Sequence, residues 1–354
     1  MKVLFVVPYP LGEAASQRFR VEQFLPFLEE EHIEYRVATF WDKKTWLLLY
    51  KPGATLQKVW GLLKGVVRRF LLVTELHKYN YIFIHREATP IGPPWFEWVT
   101  SEVFKKKLIY DLDDALWLPN TTATNTIAAM FKQHHKVAHI IRWSYKISCG
   151  NKFLQKYAAT YNSNLVLIPT TVDTEHYHNQ VKQQHTSRVF LGWTGSHSTV
   201  PYLKIIEPVI QRLEQEFEIG FIVIADKKPD LNIRSLIFIP WQKRTEIQDL
   251  LNLNIGVMPL PETEWAEGKC AFKAIQYMAS GIPAVVSAVG ANTHIVQDGV
   301  TGYTCTTEEE WYLRLRALIQ DAGLRESIGT EGRKRVVQQF SVEAQKRNFL
   351  KLFT

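Results

Sequence analysis

The chain has 354 residues, 46% of them hydrophobic and 22% charged, with a formal net charge of +7. This composition is that of a globular protein and excludes a disordered or disulfide-stapled one, and the length exceeds one ordinary core and calls for two domains. No run of eighteen apolar residues occurs, so no transmembrane helix is expected, and the three cysteines (Cys149, Cys270, Cys305) have no metal-like spacing and leave an odd thiol, which fits a reducing cytoplasm.

The N-terminus, MKVLFVVPYP, is a short apolar run that turns polar at once. It reads as a first β-strand, Val3–Val7, and not as a signal peptide. The segment Pro8–Arg20 follows, with Gly12 permitting an unusual turn. Arg18 and Arg20 stand there either as contacts for an anionic group or as the start of a surface helix. After a second strand, Tyr35–Ala38, the stretch Trp41–Asn80 carries eight Lys/Arg against Asp42 and Glu75. Trp46, Leu47, Leu48, Leu49, Tyr50, Trp60, Leu63, Val67 and Phe70 are interleaved with them. Two readings fit: an interfacial amphipathic helix on an anionic membrane surface, or a helix packed on its own sheet with a solvated basic face.

Further strands are predicted at Tyr81–His85, Leu108–Asp111, Lys146–Ser148 and Leu165–Ile168. His85 and Arg86 close the third strand, His85 being a site residue or a satisfied structural histidine. Asp111-Leu112-Asp113-Asp114 closes the fourth. Carboxylates clustered at a strand end suggest a general base, a hydroxyl ligand or a metal site, and a helix N-cap run is the plainer alternative. A polar stretch, Asn179–Ser187, marks the join between domains near Ile168–Ser187.

The second half repeats the alternation, with strands at Val189–Gly192, Phe221–Ala225, Leu236–Ile239, Ile255–Met258, Ala284–Ser287 and Gly302–Cys305. Helical stretches are predicted at Val200–Phe217, Thr245–Leu251 and Glu308–Ala322, and a last helix at Ser341–Phe353. Apolar strands alternating with helices indicate an α/β fold of two doubly wound, Rossmann-like domains. Ligands of such sheets sit at the carboxyl ends of strands. The first strand of the second domain leads into Gly195 and Ser196, whose backbone N–H groups face a following helix. The strand ending at Ile239 leads into Pro240-Trp241-Gln242, where Trp241 either stacks on a ligand ring or closes the core. The richest loop precedes a helix predicted over Cys270–Ser280. Lys269, Lys273 and Gln276 share one face of it, and Glu267-Gly268-Lys269 leads into its N-terminus, a favourable place for a diphosphate. A solvated lysine face is the competing reading.

This segment resembles the donor-binding signature of retaining glycosyltransferase family 4. The resemblance rests on Glu267-Gly268, Met278-Ala279-Ser280-Gly281, Pro283-Ala284-Val285-Val286 and Gly290–Val296, in that order. Asp298–Tyr303 and Ile168–Asp173 fit the same family, and the pieces together cover about half the chain. The resemblance implies a GT-B fold and a cytoplasmic enzyme. Residues 1–170 would bind an acceptor, 171–340 a nucleotide sugar, and 341–354 would form a helix returning to the first domain. It further implies transfer, with retention, from a UDP- or GDP-linked sugar to an acceptor hydroxyl, with no metal or other cofactor, and the basic, Trp-containing segment Trp41–Asn80 favours a glycan or lipid-linked acceptor of the cell envelope over a small soluble one.

On this resemblance the donor would be held by Gly195, Ser196, Trp241, Glu267, Gly268, Lys269, Cys270, Ala271, Lys273 and Gln276. Asp113, Asp114 and His85 would serve the acceptor hydroxyl, and Arg18, Arg20 and Arg86 would bind the acceptor. Two departures stand out. The family places glutamates at two positions where this chain has Gly268 and Gln276, with Glu267 one place off. A glutamine both donates and accepts hydrogen bonds but carries no charge. The loop after the first strand of the second domain also lacks the family's Arg and Lys, a charge that Lys269 and Lys273 would then supply. Alternatives that follow from these departures are a nucleotide-sugar epimerase or hydrolase on the same fold, and a non-catalytic nucleotide-sugar-binding subunit. A dinucleotide oxidoreductase is disfavoured because no G-x-G-x-x-G follows either first strand, and nucleic-acid binding has only the net charge behind it.

Overall fold

The computed structural model describes residues 1–49, 51, 53–119 and 133–354. The chain divides into two compact units, Met1–Thr170 with Lys346–Thr354, and Thr171–Gln345.

The first unit is built on a parallel sheet of β1 (Lys2–Val7), β2 (Glu34–Thr39), β3 (Tyr81–His85), β4 (Lys107–Leu112), β5 (Lys146–Cys149) and β6 (Leu165–Leu167), in the order β2-β1-β3-β4-β5-β6. The inner strands are continuously apolar because both faces are covered, and Val3 to Val7 and Ile82 to Ile84 are fully buried. Phe349 and Phe353 pack in this unit, Phe349 stacked on Phe24 at 4.3 Å.

The second unit is built on β7 (Val189–Gly195), β8 (Ile219–Ala225), β9 (Leu236–Pro240), β10 (Ile255–Met258), β11 (Ala284–Ser287) and β12 (Gly302–Cys305), all parallel, in the order β12-β11-β10-β7-β8-β9. Its core joins Trp193, Phe221, Val257, Val285, Trp311 and Leu315. Both sheets are therefore doubly wound. In each, the first strand sends its chain to one side and a later strand returns on the other, so each sheet has one switch point, between β1 and β3 and between β7 and β10. Loops diverge at the carboxyl ends of such a strand pair and leave a crevice.

All twelve predicted strands are present, with ends shifted by no more than a few residues. The helices differ more. The stretch expected over Val200–Phe217 splits into a 3-10 turn, Val200–Ile205, and an α-helix, Glu207–Glu216. Pro208 explains the break, since it cannot donate to the preceding turn but fits the first turn of a new helix. The helix expected from Cys270 begins at Phe272, because Ala271 adopts a left-handed conformation at φ 51°. Among the described residues no helix is long and apolar enough to cross a membrane.

Candidate functional site

Each unit gathers its polar chemistry at its own switch point. In the second unit, β10 feeds through Glu264–Glu267, a short helix, into the Phe272–Ala279 helix. Tyr277 locks that helix to the sheet. Its hydroxyl accepts from Thr194 N at 3.1 Å and donates to Val257 O at 3.3 Å, linking β7 and β10. Gly256 makes room for it, since a Cβ there would lie 2.3 Å from the Tyr277 ring.

The fixed helix brings Lys273 to the end of β7. A Cβ at Gly195 would lie 2.9 Å from Lys273 Cε, and the Lys273 ammonium stands 5.3 Å from the Trp193 ring centroid. A cation, a half-buried strand end and the N-terminus of a helix thus meet at the crevice between β7 and β10, where backbone N–H groups and positive charge favour an anion. The competing reading, a fully solvated lysine face, is not what forms. Lys273 is half-buried and Gln276 is 2% exposed. Lys269 lies before the helix, its ammonium 4.8 Å from the Trp265 ring.

Gly268 and Ala271 are buried, and Cys270 is half-buried with its thiol near Gly268 O. The Glu267 loop is held from behind by Gly290 at φ 56°, where a Cβ would lie 2.9 Å from both Cα and O of Glu267. Trp241 is half-buried, outside the core, with its N–H on Ala225 O at 2.9 Å. Ser196 is exposed, and its hydroxyl lies 2.8 Å from that of Ser198. The sequence reading missed His197 and Asp226, which pair at the carboxyl ends of β7 and β8, Asp226 also accepting from His197 N at 2.6 Å. Asp226 directly follows a strand, the same signal that singled out Asp113.

In the first unit the loop after β1 is braced from within. Buried Gln17 donates to Tyr9 O at 3.0 Å and to Glu22 at 2.8 Å and accepts from Tyr9 N at 3.0 Å. Glu22 in turn accepts from Gly12 N at 2.8 Å. Across the switch point, Arg86 has a left-handed backbone at φ 61°. Its guanidinium forks onto Asp113 at 2.7 and 2.8 Å and reaches Asp114 at 2.8 Å. Burial pushes the Tyr9 phenol above its ordinary value against the opposing pull of Arg86. Burial also disfavours the charge on Asp113, but the Arg86 guanidinium outweighs it and holds the carboxyl below the usual range. Asp113 and Asp114 do not cap a helix within the described residues. The chain turns instead, with Leu116 N on Asp114 O.

Beneath this lies a second cluster. Asp111 is 1% exposed, and Arg20 pairs with both its oxygens. Arg20 also donates to Ser148 Oγ at 3.0 Å and to Ile168 O, and Ser148 donates to Asp111 at 2.7 Å. Burial raises the cost of the Asp111 charge, yet Arg20 outweighs it and keeps the carboxyl well below the ordinary aspartate value. Arg20 is therefore neither the surface residue nor the outward anion contact that its position in the sequence suggested. Arg18 is also buried, 4.8 Å over the Phe19 ring.

His85 is fully buried with Nδ1 2.8 Å from Asp111 Oδ2, while its Nε2 has no hydrogen-bond partner. It is a histidine satisfied on one side only. No group of three or more His, Cys, Asp or Glu side chains suited to a metal ion occurs among the described residues.

Residues 229–335, which span β9 to β12, match the family model described as "Glycosyl transferases group 1". No curated protein matches the chain. Among solved structures, the sucrose-phosphate synthase of Thermosynechococcus elongatus is similar at TM-score 0.71 and 14% identity, covering 99% of this chain and 98% of that one. Anabaena HepE, in complex with UDP and glucose, is similar at TM-score 0.64 and 14% identity over 99% and 98% of the two chains. WaaB, described as a lipopolysaccharide outer core galactosyltransferase, is similar at TM-score 0.64 and 12% identity over 99% of each chain. The fold is that of the GT-B glycosyltransferases, and the match to the group 1 model is confined to residues 229–335.

Proposed function

We propose that the chain transfers a sugar, with retention of configuration, from a nucleoside-diphosphate donor to a hydroxyl of a glycan or lipid-linked acceptor in cell-envelope synthesis. The observation that carries this reading is the convergence of Gly195 and Lys273 at the β7/β10 switch point, Lys273 lying inside the region that matches the glycosyltransferase family model. Departure of the diphosphate builds negative charge on its oxygens. The N–H groups of Gly195 and Ser196 and the Lys273 ammonium would stabilise that charge most where it grows, in the transition state. Gln276, Glu267 and the loop from Gly268 through Ala271 would hold the sugar and ribose, with Lys269 adding charge and Trp241 lying beside the base.

In the first unit, Arg86 keeps Asp113 ionised and pairs with Asp114 beside it, an arrangement suited to orienting a sugar hydroxyl. His85 is held through Nδ1 by Asp111, and its Nε2 is the ring nitrogen that would meet the acceptor. A neighbour in complex with UDP and glucose, and another named as a lipopolysaccharide galactosyltransferase, support the donor class and the acceptor class.

The test follows nucleotide release from UDP-, GDP- and ADP-sugars, with and without glycan and lipid-linked acceptor extracts, and reads the anomeric configuration of the product by NMR. Release that depends on acceptor, with retained configuration, is the expected result. Release without acceptor indicates a hydrolase or epimerase instead, and an inverted product removes the retaining mechanism.

A further inference from the structure

The Thr55–Val73 helix of the first unit is packed inside out. It buries Gly61, Gly65, Arg69 and Leu72, which recur every third or fourth residue along one face. Glycine lets that face close down: a Cβ at Gly61 would lie 2.2 Å from Thr45, and one at Gly65 would lie 2.5 Å from the Phe40 ring. Arg69 has no solvent exposure and donates to Val7 O at 2.9 Å, Ala38 O at 3.1 Å and Ala88 O at 2.8 Å. It thereby ties the helix to the carboxyl ends of β1 and β2 and to the loop after β3, the edge that carries Tyr9 and Arg86.

The opposite face carries Leu56, Trp60, Leu63, Val67 and Phe70, again every third or fourth residue, with Leu71 beside them; Leu56 is 86%, Trp60 60% and Leu71 63% exposed. Phe70 stacks on Trp95 at 4.3 Å, and exposed Trp98 extends the apolar surface onto the next helix. An apolar stripe of this length facing water marks an interaction surface. Of the residues singled out in this part of the sequence, only Tyr50 lies outside the described residues.

The charge around the stripe has one sign. The helix has no Asp or Glu; Lys64 is exposed with its ammonium 5.6 Å from the Trp60 ring, and half-buried Lys58 donates to Lys51 O at 2.6 Å. The two acids of the surrounding segment are already paired, Asp42 with Arg68 at 3.0 Å and Glu75 with Arg36 at 2.8 Å. A second copy of the chain would set this basic face against itself with no carboxylate on the helix to offset it. An anionic bilayer offers the complement to both features: acyl chains for the stripe, negative headgroups for the lysines, and an interface in which tryptophan is favoured. We propose that the outward face of the Thr55–Val73 helix docks on an anionic lipid surface and holds the β1/β3 switch point close to it. This inference does not depend on the donor chemistry.

The test is co-sedimentation of the full chain with vesicles of phosphatidylcholine alone and of phosphatidylcholine with one-quarter phosphatidylglycerol, at low and high salt. The expected result is binding to the anionic vesicles only, weakened by salt. Lys58→Gln with Lys64→Gln should lower the partition coefficient by about tenfold or more, and Trp60→Ser with Leu63→Gln should abolish binding. Lys64, Trp60 and Leu63 are exposed and Lys58 is half-buried, and a thermal midpoint equal to that of the parent shows that both variants fold. Equal binding to neutral vesicles, unchanged binding in the variants, or a dimer of the parent that dissociates on Trp60→Ser would each overturn the proposal.

Discussion

His85 Nδ1 stands 2.8 Å from Asp111 Oδ2, and Arg20 pairs with the same carboxylate from the other side. One buried charge therefore fixes both a histidine and an arginine. Asp111→Asn leaves Arg20 buried without its counter-charge and should destabilise the first unit by about 3–5 kcal/mol, measured by denaturant unfolding. The pH dependence has a definite sign. The folded carboxyl is held below its unfolded value, so its stabilisation is complete above the ordinary aspartate value of about 3.9 and is lost as pH falls through the lower folded value. The parent should lose stability below about pH 4 more steeply than Asp111→Asn does.

His85→Ala should lower kcat by about a hundredfold or more, the range for losing a positioned proton-transfer or hydrogen-bonding group. The KM for donor should stay within a few-fold, because the donor contacts proposed above lie in the other unit. Steady-state kinetics with both substrates varied separates the two constants.

Arg86 holds two carboxylates through a planar fork, a geometry that lysine cannot reproduce. Arg86→Lys should therefore behave nearly as poorly as Arg86→Met in kcat, while leaving nucleotide affinity within about twofold. An activity for Arg86→Lys close to that of the parent removes the fork from the account.

Gln276 is 2% exposed where the family pattern has a glutamate. Gln276→Glu puts a carboxylate into that buried place and should lower the thermal midpoint of the nucleotide-free protein. If the side chain meets ribose hydroxyls, nucleotide should restore more stability to the variant than to the parent. Thermal melts with and without UDP and GDP give the comparison.

Gly290→Ala places a methyl group 2.9 Å from the Glu267 backbone at a left-handed φ and should cost about 1–3 kcal/mol. It should also displace the Glu267 loop and weaken donor binding, read by denaturant unfolding and nucleotide titration on the same sample.

The strands were legible because apolar runs of four to six residues between turns have few other readings. The Gly290 and Gly281 positions were legible as parts of a motif. Less visible were contacts between residues distant in sequence. Nothing in Arg20 itself says that it pairs with Asp111, 91 positions away. Nothing in Gln17 says that it braces the loop at Tyr9. The start of the 272–279 helix was misplaced because Ala271 takes a left-handed conformation that local propensity disfavours. The Thr55–Val73 helix showed its amphipathic pattern plainly, but periodicity cannot say which face turns inward. Here two glycines and a buried arginine decide it against the usual rule.

An anion site for a nucleoside diphosphate is expected where Gly195 meets Lys273. Titration calorimetry of UDP, GDP and ADP, with their sugars, into the parent and into Lys273→Met tests it most directly. One nucleotide should bind the parent, and Lys273→Met should weaken it by about 10- to 100-fold, the cost of one charge-assisted contact, without loss of fold. No binding by any of the nucleotides, or equal affinity in the two proteins, would contradict it.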